Sequence, residues 1–517
     1  MTGGHAFGEA GTRWSALASS RGWRGLLLDL SAGLLAALGQ APFGFWPLAL
    51  GGFALVLWRV PAADTARQAF GRGLAAGVGY FGLTLSWIVQ PFLIDPWTYG
   101  WMAPFALILI AFGMGLFWGA AGWLTCRIGG RAVTLAFALS AAEFLRGHVL
   151  TGFPWALPGY IWGDTLLAQM ASLLGVYGMN LAMLLVLALI LGGQWWRWGL
   201  AACIVAGSIA WSYHRLHLPE PSAGTEIVRI VQPNIRQSLK WDPDEAQENF
   251  DILLALTRNS PADLVVWPET AVPYLIEPED MVARAIAAAA GDALVATGIQ
   301  RSDSNRAWNS LVIIGRGGRF GQGFDKIHLV PFGEYIPMGD LIHDWTGLGA
   351  FASQAGAGYL AGDTRNLLDF GQMGKALPVI CYEAIFPGEL RTDERPDWII
   401  QVTNDAWFGT LTGPYQHFAQ VRFRAIELGL PVLRAANTGI SAIIDARGRV
   451  ASDVNGHPAL LGLNMRGFID GHVPGALSVT PYARFGDFPL GFLLIGGLAL
   501  SWLKKRCQGL EVQQGAA

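Results

Sequence analysis

Seven strongly apolar stretches precede residue 215, at about 24–39, 43–58, 73–89, 101–125, 133–145, 166–191 and 198–213, and an eighth covers 488–503. Each approaches the ~20 residues that a helix needs to cross the hydrocarbon core of a bilayer. They predict a multi-pass α-helical membrane domain of about eight spans: seven over 1–217 and a final helix over 486–505. The first stretch, with Arg21 and Arg24 ahead of it, also has the make-up of a signal peptide, but another apolar run follows at once. Ala41-Pro42 reads as a tight turn between those two runs. From Thr225 the pattern changes to short β-branched runs at 226–232, 264–267, 294–299, 310–315, 377–382, 398–402, 431–435 and 441–445. Helical periodicity falls between some of them, at 243–258, 278–290 and 413–428. Strands alternating with helices predict a layered α/β domain over 225–472, outside the membrane. Five glycines over 315–323 lack the Lys-Ser/Thr of a phosphate loop and predict a hairpin turn.

Composition agrees with lipid contact. The chain is 52% hydrophobic and only 14% charged, against roughly a quarter charged in ordinary soluble domains. Its 22 Trp and 27 Phe suit membrane–water interfaces. A net charge of −3 with no basic tract argues against a nucleic-acid partner. With eight spans, one side collects Arg13, Arg21, Arg24, Arg59, Arg67, Arg72, Arg127, Arg131, Arg197, Lys504, Lys505 and Arg506, and the short loops opposite hold Arg146 alone. The positive-inside rule then puts both termini in the cytoplasm and the α/β domain outside, on the periplasmic side of a bacterial inner membrane. Glu143 and Arg146, three apart near the end of the fifth stretch, read either as an interfacial ion pair or as a functional site. The Pro-, Gly- and aromatic-rich loop 152–160 reads either as an access path for lipid or as a plain interfacial loop.

Of four cysteines, Cys381 alone falls in the outer domain, so it has no partner for an intrachain disulfide there. It ends an apolar run and is followed by helix-compatible residues at 384–390. A nucleophile at such an elbow presents its sulfur beside free backbone N–H groups. Glu269 also follows a short apolar strand, and Lys326 lies on a third extended segment. Strand ends are where sites collect in α/β sheets. A carboxylate suits proton transfer, and a lysine suits holding a thiolate or an oxyanion. His328 and His417 lack metal-ligand spacing and read as structural or pocket-lining; no metal or other cofactor is expected. Asp405 and Glu427 are candidates for support that spacing alone does not place.

Trp267-Pro268-Glu269, Lys326 ahead of Pro331-Phe332-Gly333-Glu334, and Cys381-Tyr382-Glu383 resemble the three signature elements of the nitrilase superfamily, over about 226–449. With Gln232-Pro233-Asn234-Ile235, Asn404-Asp405-Ala406-Trp407-Phe408-Gly409 and the apolar runs, the whole chain resembles the bacterial apolipoprotein N-acyltransferase family. The resemblance implies an αββα sandwich carrying a Glu269–Lys326–Cys381 triad. It implies transfer of an acyl chain from a phospholipid, through a Cys381 thioester, to the N-terminal α-amine of diacylglyceryl-cysteine on an apolipoprotein. By the same resemblance Glu334, Tyr382 and Glu383 support the centre, and Trp241 and Asn309 belong to the substrate pocket. Apolar residues between Glu334 and Cys381, Trp345 and Phe351 among them, read either as a lid that contacts acyl chains or as an ordinary core-packing loop. Nothing demands more than a monomer. The competing reading is a membrane-bound amidase that hydrolyses a small C–N substrate; a transporter with a sensor domain would leave the triad without a purpose.

Overall fold

The computed structural model describes residues 20, 22–303, 306–335 and 358–514, the last six without their side chains. The chain forms two compact units: Leu218–Ala483, and a second built from the residues before and after it. In the second unit, helices run over Gly22–Ala37, Trp46–Arg59, Ala66–Thr84, Ala103–Ile128, Ala132–Arg146, Ala171–Leu191, Trp195–Leu216 and Phe488–Gln514, each overlapping one apolar stretch of the sequence. The turn after the first helix contains Ala41-Pro42, with a cis peptide bond.

Among the described residues, three segments suffice by length and composition to cross a membrane: Pro96–Ile128, Leu166–Leu191 and Phe488–Gln508. A fourth is added if Ala66–Thr84 and Ser86–Leu93, bent by 47°, count as one. The remaining helices are shorter or richer in small and charged residues. Small residues serve close packing here. A Cβ at Gly33 would lie 1.9 Å from the carbonyl oxygen of Ala76, and one at Gly79 would lie 2.1 Å from that of Leu30. Backbone therefore meets backbone where Gly22–Ala37 crosses Ala66–Thr84, which is how helices associate when apolar burial offers no gain.

Among its described residues this unit buries the ion pairs Asp29–Arg59 and Glu143–Arg146. Arg59 Nε donates to Asp29 Oδ1 at 2.6 Å. Arg146 donates to Glu143 Oε2 at 2.5 Å, Trp118 Nε1 donates to Glu143 Oε1 at 2.7 Å, and both charged side chains are wholly buried. Arg146 also donates to the carbonyl oxygen of Phe153 and lies over the Phe81 ring. The pair is thus internal, and it ties down the loop that follows its helix. Residues 154–161 of that loop are buried as well, held by Tyr80 Oη on Ala156 O (2.9 Å) and by Asn180 Oδ1, which accepts from Gly159 N (2.5 Å).

The Leu218–Ala483 unit holds two sheets. The first is built from β1 (Ile227–Gln232), β2 (Leu264–Val266), β3 (Leu294–Asp303), β4 (Arg306–Ile314), β5 (Phe320–Asp325) and β12 (Gly467–His472), in the order β12-β1-β2-β3-β4-β5. The second is built from β6 (Leu368–Asp369), β7 (Lys375–Ile380), β8 (Trp398–Thr403), β9 (Val432–Ala436), β10 (Ser441–Ile444) and β11 (Leu460–Leu461), in the order β11-β10-β9-β8-β7-β6. Strands β1–β2–β3 and β7–β8–β9 are parallel, and antiparallel strands flank each set.

Alternation along the strands separates the layers. Val231, Val265 and Val295 face helices α1 (Ala246–Thr257) and α2 (Met281–Ala290). Gln232, one position on, faces the other sheet, where its Oε1 accepts from Ser441 Oγ at 2.6 Å. Leu377, Val379 and Val432 pack under α3 (Gly413–Leu428). The layers are helices, sheet, sheet, helix.

Several elements differ from the sequence expectations. The strand expected over 377–382 starts at Lys375 and stops at Ile380, and Cys381 and Tyr382 open a 3-10 turn. The helix expected over 384–390 is two 3-10 turns, Cys381–Ile385 and Pro387–Leu390, because Pro387 has no N–H to continue a ladder. β5 and β12 were hidden by Gly-rich, polar sequence. The glycine-rich stretch is a hairpin connection, its turn at Arg316–Gly318 between β4 and β5.

Candidate active site

Glu269 leaves β2 through Trp267-Pro268 and comes to rest against Gly298 of β3. A Cβ on Gly298 would sit 2.6 Å from Glu269 Cα and from Thr270 N, so only glycine admits this crossing. Trp267 anchors the turn from behind; its indole N–H donates to Thr257 Oγ1 at 2.9 Å in the apolar core. The carboxylate, 6% exposed, is fully engaged. Its Oε1 accepts from Asn309 Nδ2 (2.7 Å) and Lys326 Nζ (3.4 Å), and its Oε2 accepts from the backbone N–H of Asn404 (2.9 Å).

Lys326 follows β5, held by its own N–H on Asn309 O at 2.8 Å. Its ammonium is 1% exposed and lies 2.9 Å from Glu334. Burial opposes that charge, but Glu334, then Glu269 and Cys381, outweigh burial and hold the lysine well above its ordinary value. It stays protonated. Glu334 is fixed on its other side, where Oε2 accepts from Val330 N (2.9 Å), and Asn309 Nδ2 reaches it too (2.9 Å). Asn309 therefore stands between two carboxylates and hydrogen-bonds both.

Cys381 sits one residue past β7 with φ of +48°, a left-handed conformation that a residue with a side chain rarely adopts. Surrounding groups hold it there. His417 Nε2 lies 3.2 Å from its carbonyl oxygen, and Gln401 Nε2 donates to the same oxygen at 3.5 Å. Behind them, His417 Nδ1 meets Asp405 Oδ1 at 2.8 Å, Arg434 donates to Asp405 Oδ2 at 2.5 Å, and Thr403 Oγ1 donates to Oδ1 at 2.9 Å. Burial would raise the Asp405 pKa, yet Arg434, His417 and Thr403 bring it down to about 2. Burial pushes the His417 pKa down, against the pull of Asp405. Burial also pushes the Cys381 thiol well up; Glu269 adds to the rise, and Lys326 opposes it. The resting sulfur is a thiol.

Glu383 joins the segments. One oxygen accepts from Ile380 N (2.7 Å), and the other accepts from Ile327 N (3.0 Å) and Arg365 (2.8 Å). The nucleophile elbow and the residue after Lys326 thus share one carboxylate. Tyr382 packs edge-on against His328 and Phe386.

The structure therefore brings Glu269, Lys326, Glu334, Asn309 and Cys381 into one electrostatic neighbourhood, with Glu383 and Tyr382 alongside. Trp241 is half-buried beside Lys240. Trp345 and Phe351 lie outside the described residues. His328 pairs with Glu389 (2.8 Å) and stacks on Phe386, whereas Glu427 pairs with Arg424 on α3. Among the described residues no group of three or more His, Cys, Asp or Glu is arranged to hold a metal ion. Sequence reasoning read His417 as structural or pocket-lining and Asp405 as a candidate for support, and it passed over Lys240. His417 and Asp405 lie in stretches that are largely buried, whereas the neighbours of Lys240 are exposed or half-buried and gave no signal. A thiol, a carboxylate and a fixed ammonium, closed off from water, form a set suited to acyl transfer through sulfur.

A model of the family described as "Apolipoprotein N-acyltransferase N-terminal domain" matches residues 32–189, and one described as "Carbon-nitrogen hydrolase" matches 227–459. The apolipoprotein N-acyltransferase of Caulobacter vibrioides is 39% identical over 511 residues, covering 92% of this chain and 94% of that protein. That of Bradyrhizobium diazoefficiens is 37% identical, with coverage of 92% and 94%. That of Rhodopseudomonas palustris is 34% identical, with coverage of 94% and 96%.

Proposed function

The chain belongs to the apolipoprotein N-acyltransferase family, and from that premise we propose that Cys381 carries the acyl group between the two substrates. The enzyme is an acyltransferase of lipoprotein maturation with a carbon–nitrogen hydrolase domain. The observation that carries the mechanistic reading is the junction of Glu269, Lys326 and Glu334 beside a thiol held at a strained elbow. Because burial keeps the thiol protonated, its ionisation is coupled to attack. Glu269 takes the proton as sulfur adds to the ester carbonyl of a phospholipid, and the Lys326 ammonium balances the oxyanion. The C–O bond breaks, Glu269 returns the proton to the departing glycerol oxygen, and a thioester and a lysophospholipid result. The α-amine of diacylglyceryl-cysteine then attacks the thioester. An amide forms, the C–S bond breaks, and the proton lost by nitrogen restores the thiol. One site serving two half-reactions implies ping-pong kinetics.

Glu334 holds the lysine in place, and Tyr382 and Glu383 hold the elbow. Trp241, Trp345 and Phe351 contact acyl chains, the latter two from a lid. Asn309, bonded to both glutamates, acts on substrate from inside the carboxylate pair. Each of the eight helices crosses the membrane, the shorter ones through close packing against their neighbours. The Lys/Arg bias puts both termini in the cytoplasm and the catalytic unit on the periplasmic face, and the enzyme works as a monomer. The test is mass spectrometry of the purified enzyme after exposure to a diacyl phospholipid. A fatty-acyl mass on Cys381, released by hydroxylamine and by a diacylated lipopeptide, is expected. Active enzyme without that adduct refutes the thioester, and release by water alone at the same rate favours hydrolysis over transfer.

A further inference from the structure

Lys240 follows the 3-10 turn Gln237–Leu239 and is 5% exposed. Its ammonium donates to the carbonyl oxygen of Glu269 at 3.1 Å and to Thr270 Oγ1 at 2.6 Å. It therefore grips the two residues that form the turn after β2. Thr270 has φ of +42°, a conformation that costs a β-branched residue energy and persists only when its surroundings impose it. Charge in the centre is also out of balance without Lys240. Glu269 and Glu334 are two carboxylates, and Lys326 is one ammonium between them. A thiolate or an oxyanion arriving there would meet a surplus negative charge in a dry site, where charges interact most strongly.

We propose that Lys240 is a positioning residue and the second cation of this centre: it clamps the turn that presents Glu269 and offsets the carboxylate surplus, so that negative charge can develop at Cys381. The proposal rests on the reading of Cys381 as the nucleophile. Among the described residues, the Glu269 carboxylate and the Cys381 sulfur face the Lys240 ammonium; the carboxylate favours its charge, and the sulfur does so once it is ionised. Burial works against them and brings the lysine down to about 8. The sign follows: above that pH the ammonium loses its proton, the surplus negative charge returns, and thiolate becomes harder to form.

Iodoacetamide alkylation of the full-length enzyme in detergent, followed on the Cys381 peptide by mass spectrometry across pH, reads the thiolate without any acyl substrate. The wild-type rate is expected to climb with pH and to show an inflection near the lysine's titration. Lys240→Met is expected to lower the rate at neutral pH by about tenfold, the equivalent of one pKa unit. Lys240→Arg keeps the charge and is expected to keep the neutral rate while losing the inflection. A Lys240→Met enzyme with the wild-type profile overturns the proposal. If that variant does not fold, an inflection persisting in Lys240→Arg overturns it instead, and its disappearance supports it. Acyl-adduct formation on the wild type is scored separately. Its absence alongside the expected alkylation profiles would refute the thioester and leave the Lys240 role standing.

Discussion

Both units of this protein bury ion pairs, and the two sets are built on opposite plans. Glu143 and Arg146 lie on one helix, and each glutamate oxygen has its own donor, Arg146 for one and Trp118 for the other. Both carboxylate oxygens are satisfied there. In the Leu218–Ala483 unit, Glu269 and Glu334 share Lys326 and share Asn309, and burial, with the charge of Glu269 added to it, raises the pKa of the neighbouring thiol. That set is assembled from separate segments and is balanced only in part. A buried ion pair that satisfies itself serves as a strut, whereas one that leaves a nucleophile under electrostatic stress is a reaction centre waiting for its substrate.

Substitutions can break the contrast, and their effects should fall in order. Cys381→Ala should abolish both the acyl adduct and N-acylation of a diacylated lipopeptide, with unchanged thermal stability of the purified enzyme. Glu269→Gln should keep the hydrogen bond from Asn309 yet lower the rate of acyl-enzyme formation by about 10²–10⁴-fold, the usual worth of a general base; a loss under tenfold would remove Glu269 from proton transfer. Glu143→Gln should do the reverse. Leaving Arg146 buried without its counter-charge costs about 3–5 kcal/mol, read as a lowered denaturation midpoint in detergent, while kcat per folded enzyme stays at the wild-type value. A fall in kcat with stability intact would make that pair functional and erase the contrast.

The smallest effect concerns Asp405, which Arg434, His417 and Thr403 hold at about 2 against an ordinary 3.8, despite its burial. A carboxylate depressed in the folded state stabilises fully above the unfolded value and loses that contribution as pH falls toward 2. Acid unfolding of Asp405→Asn should therefore be shallower than wild type across that window, by about 2 kcal/mol. Equal slopes would mean that Asp405 is not held ionised by its neighbours.

Much of the architecture was legible before any coordinates. All eight apolar stretches became helices, and α3 runs over the predicted 413–428. The strand runs around Glu269 and Cys381 fell within a residue or two of their observed ends. Span number was less legible. Among the described residues three or four segments meet the length and apolarity of a crossing; Trp46–Arg59 and Ala132–Arg146 are short, and Gly22–Ala37 spends positions on glycine contacts such as Gly33 on Ala76. A hydropathy pattern sees composition, and it cannot see that a short, Gly-rich helix is buried against its neighbour.

What the sequence alone determined was local: the alternation that makes strands, the apolar runs that make helices, and Glu269, Lys326 and Cys381 at the ends of extended segments. Those follow from periodicity and from residue chemistry, which act over a few positions. Tertiary structure alone decided that Asn309 stands between two carboxylates, that His417 reaches the Cys381 carbonyl, and that Lys240, outwardly one more surface lysine, is closed in behind Glu269. Charge balance in a buried site depends on distances between segments far apart in the chain, and no local pattern records those distances.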